Sequence, residues 1–242
     1  MKRLEKKHSL AIRWFHWINF PVLMAMIWSG LLIYWAASRP GVETTGDVYR
    51  IGWGNWTLFR FFPEKFYQNT GIVLPNGDGT FYGRLAEGMA WHFTFMWFFA
   101  INGLLYVIYL ATSGEWRHLL PNRATLKEAF HVVLHDLHLR REPLPRRKFN
   151  GAQRIAYTSV IIMGALSLLT GLAIHKSIQV AWLTNLLGGY TLARFWHFWL
   201  TIGFCAFFLI HVLQVARAGW NNFRAMITGY EIVTEPDGEA TK

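Results

Sequence analysis

An all-α fold, an integral membrane bundle of four helices forming one domain over residues 1–242, is what this sequence predicts on three observations. The chain is 53% hydrophobic and 17% aromatic with 13 Trp, and only 16% of its residues are charged, a balance too apolar for an ordinary soluble domain. Four charge-poor stretches stand out, at about 14–36, 89–111, 155–174 and 195–216, each near the ~20 residues that a helix needs to cross a bilayer. Lys and Arg, finally, sort between alternate connections, as they do in polytopic membrane proteins.

Residues 1–13 carry five Lys or Arg, 112–154 carry nine and the tail from 217 carries three, against five in 37–88 and two in 175–194. Seventeen against seven predicts cytoplasmic termini, a cytoplasmic 112–154 loop and an extracytoplasmic 37–88 loop. The net charge of +10 gathers beside apolar spans, which points to membrane lipid and away from nucleic acid. The first span follows a basic start and superficially resembles a signal peptide. Its apolar run is about twice the length of a signal core and lacks a small-residue cleavage site near its end, so it reads as a retained helix.

The first helix opens with Arg13-Trp14-Phe15-His16-Trp17, which puts one His just inside the cytoplasmic end and two Trp in the interfacial belt. Gly30 lies fourteen residues after His16 and on the same face, a bare spot that suits either close helix packing or the approach of a flat cofactor. The 37–88 loop is rich in aromatics (Trp53, Trp56, Phe59, Phe61, Phe62, Phe66, Tyr67) and has a turn at Asn76-Gly77-Asp78-Gly79. It fits either short interfacial helices or a docking surface for a partner subunit.

In the second helix His92 is the one His, Lys, Arg, Asp or Glu between Ala90 and Ser113, and Gly103 follows eleven residues later. The cytoplasmic loop contains an amphipathic pattern over Thr125–His138. His131, His135 and His138 share one side of it at a spacing that permits a metal, although solvated histidines are the simpler reading. Arg140, Arg141, Arg146, Arg147 and Lys148 form a basic run suited to anionic headgroups. The third helix carries Gly164 and Gly171 as packing contacts, reaches His175 at its outer end and offers no obvious ligand.

The fourth helix holds His197 and His211, fourteen residues apart, in a run from Phe195 to Ala216 without Lys, Arg, Asp or Glu. That spacing nearly completes four turns, so both rings leave one face, roughly 21 Å apart along the axis. Ionisable groups inside a membrane are costly and point to function. Because the first helix runs outward and the fourth inward, His16 and His211 fall at the cytoplasmic level and His92 and His197 at the outer level. Two neutral imidazoles on facing helices can hold a haem iron from both sides, and two such haems would bridge much of a ~30 Å hydrocarbon core. Both axial positions are then filled, which suits one-electron transfer. Cys205, the one cysteine, excludes an internal disulfide or a Cys-ligated iron–sulfur cluster within this sequence, and no C-x-x-C-H occurs for covalent haem attachment. Arg13 and Arg194, each three residues before a proposed ligand, fit pairing with haem propionates or simple interfacial anchoring.

With those residues in place, the sequence resembles the four-helix dihaem cytochrome b subunits of membrane-bound formate dehydrogenase (its gamma subunit), nickel–iron hydrogenase and thiosulfate reductase. The resemblance rests on Arg13-Trp14-Phe15-His16-Trp17, His92, Asn150-Gly151-Ala152-Gln153-Arg154, the His197/His211 pair and Ala225-Met226-Ile227-Thr228-Gly229. It implies two haems b with axial pairs His16/His211 and His92/His197, the pairing that topology also gives. A quinone site beside the cytoplasmic haem is implied too, with Asn150, Gly151 and Gln153 contributing to it and menaquinone or ubiquinone as substrate. Asn150 is equally placed to cap the third helix. The sequence departs from the gamma subunit in reading Gly-Ala where that has Ala-Gly, and in a longer outer loop.

The function expected is electron transfer across the membrane, between quinone and an extracytoplasmic iron–sulfur and catalytic subunit, a molybdenum enzyme or hydrogenase. No residue of this chain is expected to act on that subunit's substrate. The expected location is the inner (cytoplasmic) membrane of a bacterium or archaeon. A stand-alone b561-type quinone oxidoreductase is the alternative within electron transfer. A haem-free anchor or transporter would scatter its polar residues toward a midplane site, whereas these cluster at two levels.

Overall fold

A computed structural model describes residues 2–36, 49–53, 56–61, 84–136, 139 and 149–234. In chain order the elements are β1 (Lys2–Lys6), α1 (Leu10–Ala36), β2 (Tyr49–Trp53), β3 (Trp56–Phe61), α2 (Leu85–Ser113), α3 (Trp116–Leu119), α4 (Arg123–Asp136), α5 (Gly151–His175), α6 (Ala181–Leu186), α7 (Tyr190–Thr228) and β4 (Tyr230–Thr234). Helices α1, α2, α5 and α7 are each long and apolar enough to cross a membrane. Only 6–17% of each apolar window is buried within the protein, so hydrocarbon must cover the rest. Side chains such as Trp97, Leu104 and Leu209 point outward accordingly.

Every spanning helix runs past the charge-poor stretch that announces it. The backbone ladder does not stop where apolar side chains do, and α7 continues beyond Arg217 to Thr228. It breaks once, at Gly219, whose φ of 81° and ψ of 173° lie outside the helical region and are readily adopted without a Cβ.

The chain divides into two compact units, Met1–Trp17 with Asn102–Lys242, and Ile18–Ile101. In the first, α5 packs along α7, and α3 and α4 both pack against α5. The amphipathic segment of the 112–154 loop forms α4, with Thr125 and Val132 as its buried positions. Asn122 and Thr125 bond reciprocally at its start, Thr125 N–H to Asn122 Oδ1 and Asn122 N–H to Thr125 Oγ1, both at 2.9 Å. At its far end Asp136 accepts from Gln214 Nε2 at 2.8 Å, and the Asp136 carbonyl accepts from Arg217 at 2.8 Å, which ties α4 to α7. A small core of Ala173, Leu183 and Ala193 closes the α5–α6–α7 connection, where Thr184 Oγ1 donates to the Ala173 carbonyl at 3.1 Å.

Strand β1 pairs antiparallel with β4 from Lys2↔Thr234 to Lys6↔Tyr230, so residues near the two termini share one ribbon. In the second unit β2 and β3 pair antiparallel from Tyr49↔Phe61, with a shift between Ile51 and Gly52. This ribbon lies within the 37–88 loop, most of whose other residues are outside the described ones. Its strands are rich in aromatic and β-branched residues, which favour extended backbone. The Asn76–Gly79 turn, Phe62, Phe66, Tyr67, His138 and the basic run from Arg140 to Lys148 lie outside the described residues.

Gly151 marks the closest approach of α5 to α4. A Cβ there would stand 2.7 Å from both the Thr125 carbonyl oxygen and the Ala129 nitrogen. In an open helix, Gly→Ala adds about 1 kcal/mol of stability. Here the new methyl meets backbone, and Gly151→Ala should cost about 1–3 kcal/mol. The measurement is a lowered unfolding temperature in detergent, with faster proteolysis in the 112–154 loop.

Candidate cofactor site

Of the four histidines singled out by the sequence, His16 and His211 lie in one unit and come together. Their ring centroids are 6.0 Å apart, inclined at 54°. A metal ion bonded at about 2 Å to a nitrogen of each ring needs about this separation. The His16 Nδ1 is buried and has no hydrogen-bond partner among the described residues. Trp17 packs edge-on to His16 at 5.0 Å, and Phe207 stacks on His211 at 5.6 Å with the planes 10° apart. Two imidazoles at that separation on apolar helices fit a pair of iron ligands better than they fit two structural histidines.

The other two histidines are each held by a neighbouring helix within their own unit. His92 Nδ1 lies 3.0 Å from Ser29 Oγ, and Ser29 is fully buried. The next residue, Gly30, leaves the space that the ring fills: a Cβ there would be 3.4 Å from His92 Cε1. His197 repeats the arrangement. Its Nδ1 lies 2.9 Å from Thr170 Oγ1, and a Cβ on Gly171 would be 3.3 Å from its Cε1. Ser29 and Thr170 were missed in the sequence, where the Ser-Gly and Thr-Gly pairs were the available signal. Gly30 and Gly171 thus each lie against an imidazole, more tightly at Gly171. At Gly103, by contrast, a Cβ would meet nothing within 4 Å.

Two stretches quoted for the family resemblance meet each other. Arg13 donates through Nη1 to the Ile227 carbonyl, and Trp17 Nε1 donates to the Met226 carbonyl at 3.1 Å. The Gly229 carbonyl accepts from the backbone of Lys7 and His8 at 2.9 and 3.2 Å. These are the carbonyls that a helix end leaves unpaired, and a cation there also complements the helix dipole. Arg13 therefore closes α7, while its Nε stays buried without a hydrogen-bond partner among the described residues. Arg194 lies over the Tyr190 ring at 5.9 Å.

Asn150 and Gln153 form a capping box at the start of α5. Asn150 Oδ1 accepts from the Gln153 N–H at 2.9 Å, and Gln153 Oε1 accepts from the Asn150 N–H at 3.1 Å. Both use their side-chain oxygens, while Gly151 is set against α4. Among the described residues no group of three or more His, Cys, Asp or Glu is arranged to hold a metal ion, His131 and His135 included.

Long apolar helices that carry imidazoles at depth define a multi-pass membrane cytochrome of the b type. The chain belongs to the prokaryotic cytochrome b561 family, whose model matches residues 7–229. It is thus a b561-type electron-transfer protein of the bacterial inner membrane, and the family carries b-type haem. Among curated proteins it is 33% identical over 180 residues to a putative protein-methionine-sulfoxide reductase subunit, YedZ1, of Azospira oryzae, covering 74% of this chain and 85% of that protein. No solved structure matches.

Asn150 should reveal its capping role on its own. Asn150→Ala is expected to cost about 1 kcal/mol, whereas Asn150→Ser, which retains a capping oxygen, should cost little. Thermal unfolding of the two variants in detergent checks the difference.

Proposed function

We propose that this chain is a dihaem cytochrome b subunit in which His16 with His211, and His92 with His197, are the axial pairs. The observation that carries the reading is the His16–His211 pair, whose ring centroids lie 6.0 Å apart, about the separation that one metal ion between the two rings needs. The second pair rests on sequence position, since both residues fall at the outer level of their spans. When bound, bis-imidazole haem supplies a reversible one-electron shuttle with no open coordination position.

Electrons pass across the membrane between a quinone site on the side of the chain termini and an extracytoplasmic catalytic subunit. Asn150 and Gln153 spend their oxygens on the capping box, which leaves their side-chain NH2 groups as the donors for a quinone carbonyl. Gly151 sets α5 against α4 beside them. Arg13 and Arg194 are the cations nearest in sequence to the ligands and remain the candidates for haem carboxylates. For the partner, the YedZ1 relative is described as a subunit of a reductase, which favours a complex over a stand-alone quinone oxidoreductase. An iron–sulfur protein with a molybdenum enzyme or hydrogenase is the partner class that the resemblance to dihaem subunits suggests.

Reduced-minus-oxidised spectra of the purified protein should show b-type haem at two per chain. His211→Ala should remove one haem together with quinone turnover and leave the other haem reducible. A His211→Ala protein that keeps both haems sinks the pairing.

A further inference from the structure

We propose that Ser29 and Thr170 are positioning residues for iron ligation: each hydroxyl takes the Nδ1 proton of its histidine, His92 or His197, in a hydrogen bond and thereby turns the Nε2 lone pair toward the metal. The inference rests on the reading of His92 and His197 as haem ligands.

The direction of each hydrogen bond follows from counting protons. A hydroxyl has one hydrogen, and a carbonyl has none to give. Ser29 Oγ lies 3.2 Å from the Met26 carbonyl oxygen and 3.0 Å from His92 Nδ1. The Met26 carbonyl is also a hydrogen-bond partner of the His92 ring, and a carbonyl can only accept, so the ring presents an N–H on this side. With its own proton turned to that carbonyl, the Ser29 hydroxyl accepts from the same ring nitrogen. Thr170 Oγ1 is constrained in the same way, 2.7 Å from the Leu166 carbonyl and 3.2 Å from that of Ser167, with His197 Nδ1 at 2.9 Å. In both rings the proton sits on Nδ1 and the lone pair on Nε2.

The glycine after each hydroxyl completes the seat. At Gly171 a Cβ would come within 3.3 Å of the His197 Cε1 and press lightly on the ring that the hydroxyl holds, and at Gly30 a Cβ would touch the His92 Cε1 at 3.4 Å, an ordinary packing contact. One hydroxyl and one glycine thus fix the tautomer and limit the rotation of each imidazole. Both hydroxyl residues are almost wholly shielded, with exposures of 0% for Ser29 and 1% for Thr170, so water does not replace them readily. A hydrogen bond from Nδ1–H makes the opposite nitrogen the stronger donor, which favours ferric over ferrous iron and lowers the reduction potential.

The experiment uses the full chain in detergent, with Ser29→Ala, Thr170→Ala and the hydroxyl-retaining Thr170→Ser. Haem per chain, potentiometric titration of the haem absorbance and low-spin ferric EPR signals are recorded for each. Both Ala variants should move the same one of two midpoints to more positive potential, alter its EPR signal and leave the other haem unchanged. They should also bind that haem about tenfold less tightly. Thr170→Ser should behave as the unaltered protein. If Thr170→Ala loses the haem outright while Thr170→Ser keeps it, the proposal stands. Two haems with unmoved midpoints and EPR signals in both Ala variants overturn it. A separate failure is visible in His92→Ala and His197→Ala: if both retain two haems, the ligand reading falls, and this proposal with it.

Discussion

An imidazole among lipid-facing helices has two nitrogens, and hydrocarbon offers neither of them a partner. The protein must supply one for each, or a metal must. This constraint organises the interior more than apolar packing does, because so little of each spanning helix is buried against protein. His92 and His197 answer it at Nδ1 with a hydroxyl from a neighbouring helix. At His16 the Nδ1 stays without a described hydrogen-bond partner while its ring faces His211. Two of the polar contacts across helices thus end on histidines, each with a glycine beside it.

The meeting of His16 with His211 depends on how the chain ends are fastened. Helix α1 presents Arg13 and Trp17 to the last carbonyls of α7, one and two residues short of Thr228. The Gly229 carbonyl then receives the backbone of Lys7 and His8, and β1 runs on against β4. The break at Gly219 lies between these contacts and His211, which lets the last segment of α7 leave the helical path before it reaches α1. Removal of Arg13 would thus expose an unpaired helix end and loosen the segment that carries His16. The side chain belongs to the architecture of the site whatever anion it also meets.

The spanning helices were legible because a bilayer imposes a simple rule, some twenty residues without charge, that acts locally on the sequence. Their ends were less so, since flanking polar residues such as Arg217 continue the same hydrogen-bond ladder. Strand β1 was invisible for a different reason. Lys2–Lys6 has no apolar alternation, and its partner lies more than two hundred residues away. The histidines announced themselves by standing alone in apolar runs. Their hydroxyl partners did not, because Ser and Thr are common in membrane helices and commonly bond their own backbone. Only the three-dimensional neighbour distinguishes Ser29 and Thr170 from Thr112, whose hydroxyl bonds the Ile108 and Tyr109 carbonyls of its own helix. Asn150 was legible as a cap, and capping is the role its geometry displays.

The same two-imidazole chemistry is set in two different environments. At His92 and His197 a hydroxyl draws on the Nδ1 proton and pushes electron density toward Nε2. At His16 no described residue exerts that pull, and the ring is kept in place by Trp17 on one side and His211 on the other, with Phe207 stacked behind His211. In a low-dielectric interior such differences are felt strongly, because hydrogen bonds there are electrostatically stronger than in water. On the proposed pairing, iron between hydroxyl-anchored rings would be stabilised in its oxidised form relative to iron between rings set by packing alone. On the proposed ligation, one chain would have the means to make two cofactors of identical composition unequal, through two hydroxyls that reach across to imidazoles of neighbouring helices.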